Sequence, residues 1–181
     1  MATAVLLAAA PAQASPLHAA VQAQDIATVK TLLAAPDRTK LRDAIEARDA
    51  QGRTPLLLAT ALDRVEIAQR LIDAGADVNA QDAQRDSPYL LAGAQGRLAI
   101  LRMTLAHGAD LRSTNRLGWT ALLEAIVLSD GGPAHQDIVR QLITAGADVN
   151  LADHGGVTPL RHAEQRGYGA IATLLRTAGA R

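Results

Sequence analysis

Asp49-Ala50-Gln51-Gly52-Arg53-Thr54-Pro55-Leu56-Leu57-Leu58-Ala59-Thr60 opens a unit that closes on Leu71-Ile72-Asp73-Ala74-Gly75-Ala76-Asp77-Val78-Asn79-Ala80. Both ends of this unit return along the chain. Thr54-Pro55-Leu56 recurs as Ser87-Pro88-Tyr89, Thr120-Ala121-Leu122 and Thr158-Pro159-Leu160, at steps of 33, 33 and 38 residues. Gly75-Ala76-Asp77-Val78-Asn79 recurs as Gly108-Ala109-Asp110-Leu111 and Gly146-Ala147-Asp148-Val149-Asn150, at steps of 33 and 38. Two independent markers therefore share one period and one five-residue insertion, which is the signature of an internal repeat. An earlier copy starts at Ser15-Pro16-Leu17-His18-Ala19-Ala20.

Each copy has a physical reading. Ser15, Thr54, Ser87, Thr120 and Thr158 stand where a hydroxyl can accept from the free N–H groups of a first helical turn. Pro follows in four of the five, at the position where a missing N–H costs nothing. A short Ala/Leu-rich helix comes next, then a turn at Asp63-Arg64, Gly96-Arg97 or Gly167-Tyr168. A second helix shows apolar residues three and four apart, as at Ile67, Leu71 and Ile72 or Ile138, Leu142 and Ile143. Gly75, Gly108 and Gly146 end these helices as left-handed residues. The interval from Ser15 to Thr54 exceeds the period by six residues. The excess falls at Ala35–Lys40 and predicts a longer loop before an additional helix near Leu41–Ala47.

The composition agrees with small, close-packed helices. Among 181 residues there is no Phe or Cys, one Trp and two Tyr, so the core must be built from Ala, Leu, Ile and Val. Lys and Arg total 18, as do Asp and Glu. Zero net charge argues against a sequence-independent nucleic-acid binder and against a polybasic membrane-surface protein. The absence of cysteine excludes disulfides, thiolate metal ligands and a Cys nucleophile.

The pattern from Ser15 to Ala180 resembles the ankyrin-repeat family, whose 33-residue unit is a helix–turn–helix with a β-turn finger. The resemblance implies an all-α solenoid of about five repeats with short β-turn fingers, near 15–48, 49–81, 82–114, 115–152 and 153–181, forming one domain over 15–181. Departures from the family pattern are specific. Leu57, Leu90 and Leu123 occupy the His position of the TPLH motif, which His18 retains; Arg85 replaces a turn Gly, Ala121 replaces Pro, and Arg112 stands where Asn79 and Asn150 stand. Asn79 and Asn150 are expected to bond nearby backbone and fix their turn. Arg176 takes the place of apolar Ile72 and Ile143, as suits a terminal repeat that faces water.

Candidate chemistry is sparse. His18, His107, His135, His154 and His162 fall in different repeats and form no close metal-binding pair. Asp130, His135 and Asp137, in the insertion, are residue types that can hold a cation; a long polar surface turn is the simpler reading. A metal-dependent small hydrolase built on residues 130–137 is the alternative reading this loop offers. Glu124 and Glu164 lie inside first helices but are offset in the repeat frame, which disfavours a paired-carboxylate site. No GxSxG, GxGxxG or GxxxxGK[ST] run occurs. No cofactor is expected.

What remains is a surface. The resemblance implies partner binding through finger tips and the concave face of the first helices. By position this selects Gln51 and Arg53, Gln84 and Asp86, Arg116 and Trp119, His154 and Val157. Arg53, Arg85 and Arg116 recur on adjacent fingers as a basic stripe or a solvated face. Trp119 beside Arg116 has the composition of an interaction hot spot, with packing on a neighbouring finger as the alternative. The expected function is a non-enzymatic, monomeric module that binds another protein, without nucleic-acid binding or membrane insertion. Met1–Ala14 carries no charged side chain. Its run Ala4–Ala10 followed by Ala12-Gln13-Ala14 reads as the apolar part and cleavage site of a secretory signal, without a positive n-region. Periplasmic or secreted location is the expectation, with a mature chain from Ser15; a cytoplasmic protein with an Ala-rich extension is the alternative. An accessory role protecting a periplasmic enzyme is a further analogy.

Overall fold

The computed structural model describes residues 14–181, so the leader reading of Met1–Ala14 lies, but for Ala14, outside the described residues. Eleven helices and no strand occur among these residues. Five are the first helices of a repeat: α1 (Pro16–Gln22), α4 (Pro55–Ala61), α6 (Pro88–Ala94), α8 (Ala121–Val127) and α10 (Pro159–Gln165). Five are the second helices: α2 (Ile26–Leu33), α5 (Val65–Asp73), α7 (Leu98–Ala106), α9 (Pro133–Thr144) and α11 (Gly169–Thr177). The eleventh, α3 (Arg38–Ile45), occupies the long first interval. It starts three residues before the expected Leu41, because the Asp37 carboxylate accepts from the backbone N–H groups of Thr39 and Lys40 and caps the helix there.

The local rules read from the sequence hold at each start. Ser15, Thr54, Ser87, Thr120 and Thr158 each accept from a backbone N–H three residues on. The loss of the motif His at Leu57, Leu90 and Leu123 therefore leaves the hydroxyl cap intact. His18 does more. Its Nδ1 accepts from the Ser15 hydroxyl at 2.8 Å, and its Nε2 donates to the Arg53 carbonyl at 2.9 Å, joining the first repeat to the finger of the second.

Stacking makes the core continuous. First helices pack in one row and second helices in another, each helix against its own partner and its counterpart in the next repeat. Leu17, Val21, Leu56, Leu71, Tyr89, Leu101, Leu122, Ile126, Leu142, Leu160 and Leu175 belong to one buried cluster running through all five repeats. No repeat could bury these residues alone. Burying one Leu or Ile side chain contributes about 1.5–3 kcal/mol, so the shared interior dominates the favourable side of the balance. Neighbouring first helices approach closely at Gly93, where a Cβ would lie 3.0 Å from the Ala121 carbonyl oxygen.

Asn79 and Asn150 bond a different segment from the one expected. Asn79 donates to the Gly108 carbonyl at 3.0 Å and accepts from the Asp110 N–H at 2.8 Å, so it bridges to the next repeat. Asn150 makes the equivalent bonds to Gly179 and Arg181. The local turn is instead held by Asp77 and Asp148, whose carboxylates accept from the Asn79 and Asn150 N–H groups. Glu46 holds the same register in the preceding repeat and accepts from Asp77 N–H at 2.9 Å.

Candidate functional site

Four fingers are built on one plan. Asp49, Asp82, Asn115 and Asp153 each accept with one side-chain oxygen from two backbone N–H groups, two and four residues on. The residue before the finger's end has positive φ: Gly52 at 78°, Arg85 at 66°, Gly118 at 76° and Gly156 at 75°. Arg85 thus adopts a conformation that costs an L-residue roughly 1–2 kcal/mol. Adjacent tips are linked through backbone, from Arg116 N–H to the Gln84 carbonyl at 3.2 Å.

The fingers differ in what the anchor's second side-chain atom does. In the second repeat Asp49 is buried and pairs with Arg53 at 2.8 Å. Arg53 also donates to Gln51, so both are engaged within their own finger. A continuous stripe of free cations across Arg53, Arg85 and Arg116 is therefore not what the structure presents. In the fifth repeat Asp153 accepts from His162 Nε2 at 2.8 Å. Backbone donation from Val157, with help from His162, holds the Asp153 carboxyl below its ordinary range. In the fourth repeat the anchor is Asn115, and its amide donates to Glu124 at 2.6 Å. Glu124 and His162 hold the same place in the repeat frame, and each follows its anchor by nine residues.

Glu124 is the unusual group. Its side chain is buried, and burial followed by the nearby Asp86 charge pushes its carboxyl up to about 8. Asp86, in the finger of the third repeat, is likewise raised, first by burial and then by Asp82. The two carboxyls lie within hydrogen-bond reach of each other. One oxygen of each, Asp86 Oδ1 and Glu124 Oε2, is buried with no donor from elsewhere in the protein. A proton shared between them is the simplest way to relieve this. The partner of Glu124 is thus Asp86. Glu164 is exposed and forms an ion pair with Arg176 on the terminal repeat.

The carboxyl pair lies in the wall of a groove of about 380 Å³ between the fingers of the third and fourth repeats. Gln84, Asp86, Arg116 and Trp119 all line it, so four of the sequence-selected residues meet in one place. Trp119 is half-buried, its backbone held by Asn115. Leu117 and Leu128, 55% and 56% exposed, complete an apolar rim. The other selected residues lie apart. Gln51 and Arg53 belong to the preceding finger, and Arg85 faces a separate hollow beside Asn79 and Asp110. Exposed His154 lies over Gly118, where a Cβ would collide with its ring, and Val157 closes the last finger. Leu117, Leu128 and Asn115 were not singled out from sequence. Hydropathy alone does not separate an exposed Leu from the many buried ones.

In the insertion Asp130 and His135 meet, the carboxylate 3.7 Å from the imidazole Nδ1, but Asp137 does not join them. His135 Nε2 donates to the Ala94 carbonyl at 3.2 Å, Asp130 accepts from Gly132 N–H, and Asp137 pairs with Arg140. No group of three or more His, Asp or Glu side chains that could hold a metal ion occurs among the described residues.

Comparison with known proteins agrees with the repeat plan. The family model described as ankyrin repeats in three copies matches residues 3–82 and 89–181. The chain belongs to the ankyrin-repeat family. Ankyrin repeats are generally protein–protein interaction modules. The ankyrin repeat protein YahD of Escherichia coli (strain K12) is 38% identical over 89% of this chain and 94% of its own length. The human ankyrin repeat and SOCS box protein 16 is 37% identical over 72% of this chain, a match that spans 30% of that protein. A crystallised ankyrin repeat domain from Acinetobacter baumannii AYE shares 46% identity, with a TM-score of 0.59 over 92% of this chain and 98% of that one. Within this ankyrin array, the groove beneath Trp119 brings together an apolar rim and a buried acid pair.

Proposed function

We propose that this chain is a non-enzymatic, monomeric module that docks another protein across its fingers, with the groove between the third and fourth repeats at the centre. One observation carries the reading. Leu117 and Leu128, two of the three large apolar side chains that stand out in solvent among the described residues, flank the same groove as Trp119 and Arg116. Aromatic and Arg anchors inside an apolar patch are the composition of binding hot spots. The surrounding backbone is held by the capped finger turns and the stacked core, so little ordering entropy opposes docking. Gln51, Arg53, Arg85, His154 and Val157 would form the outer part of the footprint.

The test is capture of partners from the source cells by the intact chain and by an Arg116→Ala/Trp119→Ala variant with unchanged circular dichroism. Loss of a specific partner in the variant supports the site; identical capture refutes it. The apolar Ala4–Ala10 run before Ala12-Gln13-Ala14 supports a partner outside the cytoplasm. N-terminal sequencing of the protein from its source tests that location: a chain starting at Ser15 supports it, and one retaining residues 1–14 overturns it.

A further inference from the structure

We propose that the groove receives one arginine side chain of the partner protein, its guanidinium seated on Asp86 and Glu124 and its stem lying along Leu91, Trp119 and Leu128. The inference rests on the docking reading above and names what the centre of that surface recognises.

The argument begins with the two unsatisfied oxygens. Asp86 Oδ1 and Glu124 Oε2 are buried and receive no hydrogen bond from the rest of the protein. Glu124 is only 2% exposed, yet it lines the groove. A buried acceptor left without a donor is costly, and a buried carboxylate more so. Either the pair keeps a proton between its members or a cation supplies what is missing. The charges around the pair favour a cation. From the third repeat come Asp86 itself, Asp82 behind it, and neutral Tyr89 on α6. From the fourth come Glu124 on α8, the uncharged Asn115 amide, and Arg116 at the rim; Asp110 adds negative charge near Tyr89. The carboxylates therefore outnumber the one arginine.

Arginine fits this site in three respects. Its planar fork carries five N–H donors and can serve two acceptor oxygens at once, whereas a lysine ammonium is a compact, strongly hydrated point charge. The guanidinium tolerates partial desolvation and stacks on an indole face, which Trp119 offers. Its three-carbon stem requires apolar walls, and Leu91 and Leu128 provide them. Asn115 holds the other Glu124 oxygen at 2.6 Å, so the acceptor is oriented before the ligand arrives.

The step balances simply. The protonated pair gives its proton to water as the guanidinium takes up both free oxygens, and no covalent bond changes. Affinity should then rise with pH, by up to about tenfold per unit while Glu124 is still protonated.

Trp119 is the only tryptophan in the chain, so its fluorescence reports on this groove alone. The experiment titrates the full chain with N-acetyl-arginine methylamide, with its uncharged citrulline counterpart and with the lysine counterpart. It is run at several values between about pH 6 and 8.5, the window set by Glu124. A saturable change with the arginine compound is expected, at least roughly tenfold stronger than with citrulline and tightening as pH rises. Glu124→Gln should abolish the pH dependence, Asp86→Asn should move it to lower pH, and each should weaken binding at least roughly tenfold, with circular dichroism unchanged. Equal responses to arginine and citrulline, no saturation, or unaltered binding in both variants would overturn the proposal. Lysine binding as tightly as arginine would overturn the choice of arginine. Failure here combined with partner capture that still depends on Arg116 and Trp119 removes only the arginine assignment. Capture indifferent to those residues removes the docking surface itself.

Discussion

Glu124 should make this protein less stable as the solution turns alkaline. In the unfolded chain its carboxyl titrates near the ordinary glutamate value of 4.5; in the fold, burial and then Asp86 push it up to about 8. A group whose folded pKa is raised holds its proton more tightly in the native state. Its contribution is complete below about pH 4.5 and is lost as pH rises, until the folded group has also ionised near pH 8. Within that window the slope is about 1.4 kcal/mol per pH unit. From about pH 6 to pH 9 the loss amounts to about 2–3 kcal/mol, or some 5–10 °C in Tm for a domain of this size. Asp86, also raised, acts with the same sign at lower pH, and the raised Tyr89 adds its share only above about pH 10. Asp25, Asp49, Asp130 and Asp153 are lowered, so their contributions are lost on the acid side instead. Glu124→Gln places a neutral amide where the protonated acid stands; its oxygen can still accept from Asn115 and its NH₂ can donate to Asp86. Urea unfolding followed by circular dichroism at about pH 6, 7, 8 and 9 decides the matter. The parent should lose stability along this slope while the variant stays nearly flat. Parallel slopes in the two proteins would refute the reasoning.

Four further outcomes follow from the packing. Leu71→Ala, at a fully buried site on α5, should cost about 2–5 kcal/mol in urea unfolding, and a loss below about 1 kcal/mol would contradict the shared core. Arg85→Gly removes an L-residue from φ 66° and should stabilise the chain by about 0.5–1 kcal/mol, read as a higher urea midpoint. Asn79→Ala hands the exposed Gly108 and Asp110 backbone groups to water and should cost about 0.5–1.5 kcal/mol, detectable as faster amide exchange at Asp110. Gly93→Leu would drive a side chain into Ala121 and should destabilise by at least about 1–3 kcal/mol, whereas the same change at exposed Gly169, which has open space around it, should cost less.

How far the sequence reaches is clearest at particular residues. The cap hydroxyls, the left-handed glycines and the apolar spacing are local properties of the chain, and each is recovered in the structure. Asp37 shows the limit of boundary placement, since its side chain, four residues before the expected Leu41, set the start of α3. Asn79 shows the limit of local reasoning, since its partners lie 29 and 31 residues away in the next repeat. Glu124 shows both. Its presence in a first helix was conspicuous, but the sequence pointed to Glu164 as its only comparable acid, whereas the fold brings Asp86 of the preceding finger to it.

The sequence by itself determined the repeat, its period, its class and the residues that face the shared interior. Those depend on caps, turns and hydropathy spaced within one helical pair. Tertiary structure alone decided which fingers adjoin, which arginine is consumed by its own anchor, and which two carboxyls share one buried space. These follow from stacking one copy on the next, which sets side chains tens of residues apart within hydrogen-bond distance and removes the water that would otherwise keep their charges apart.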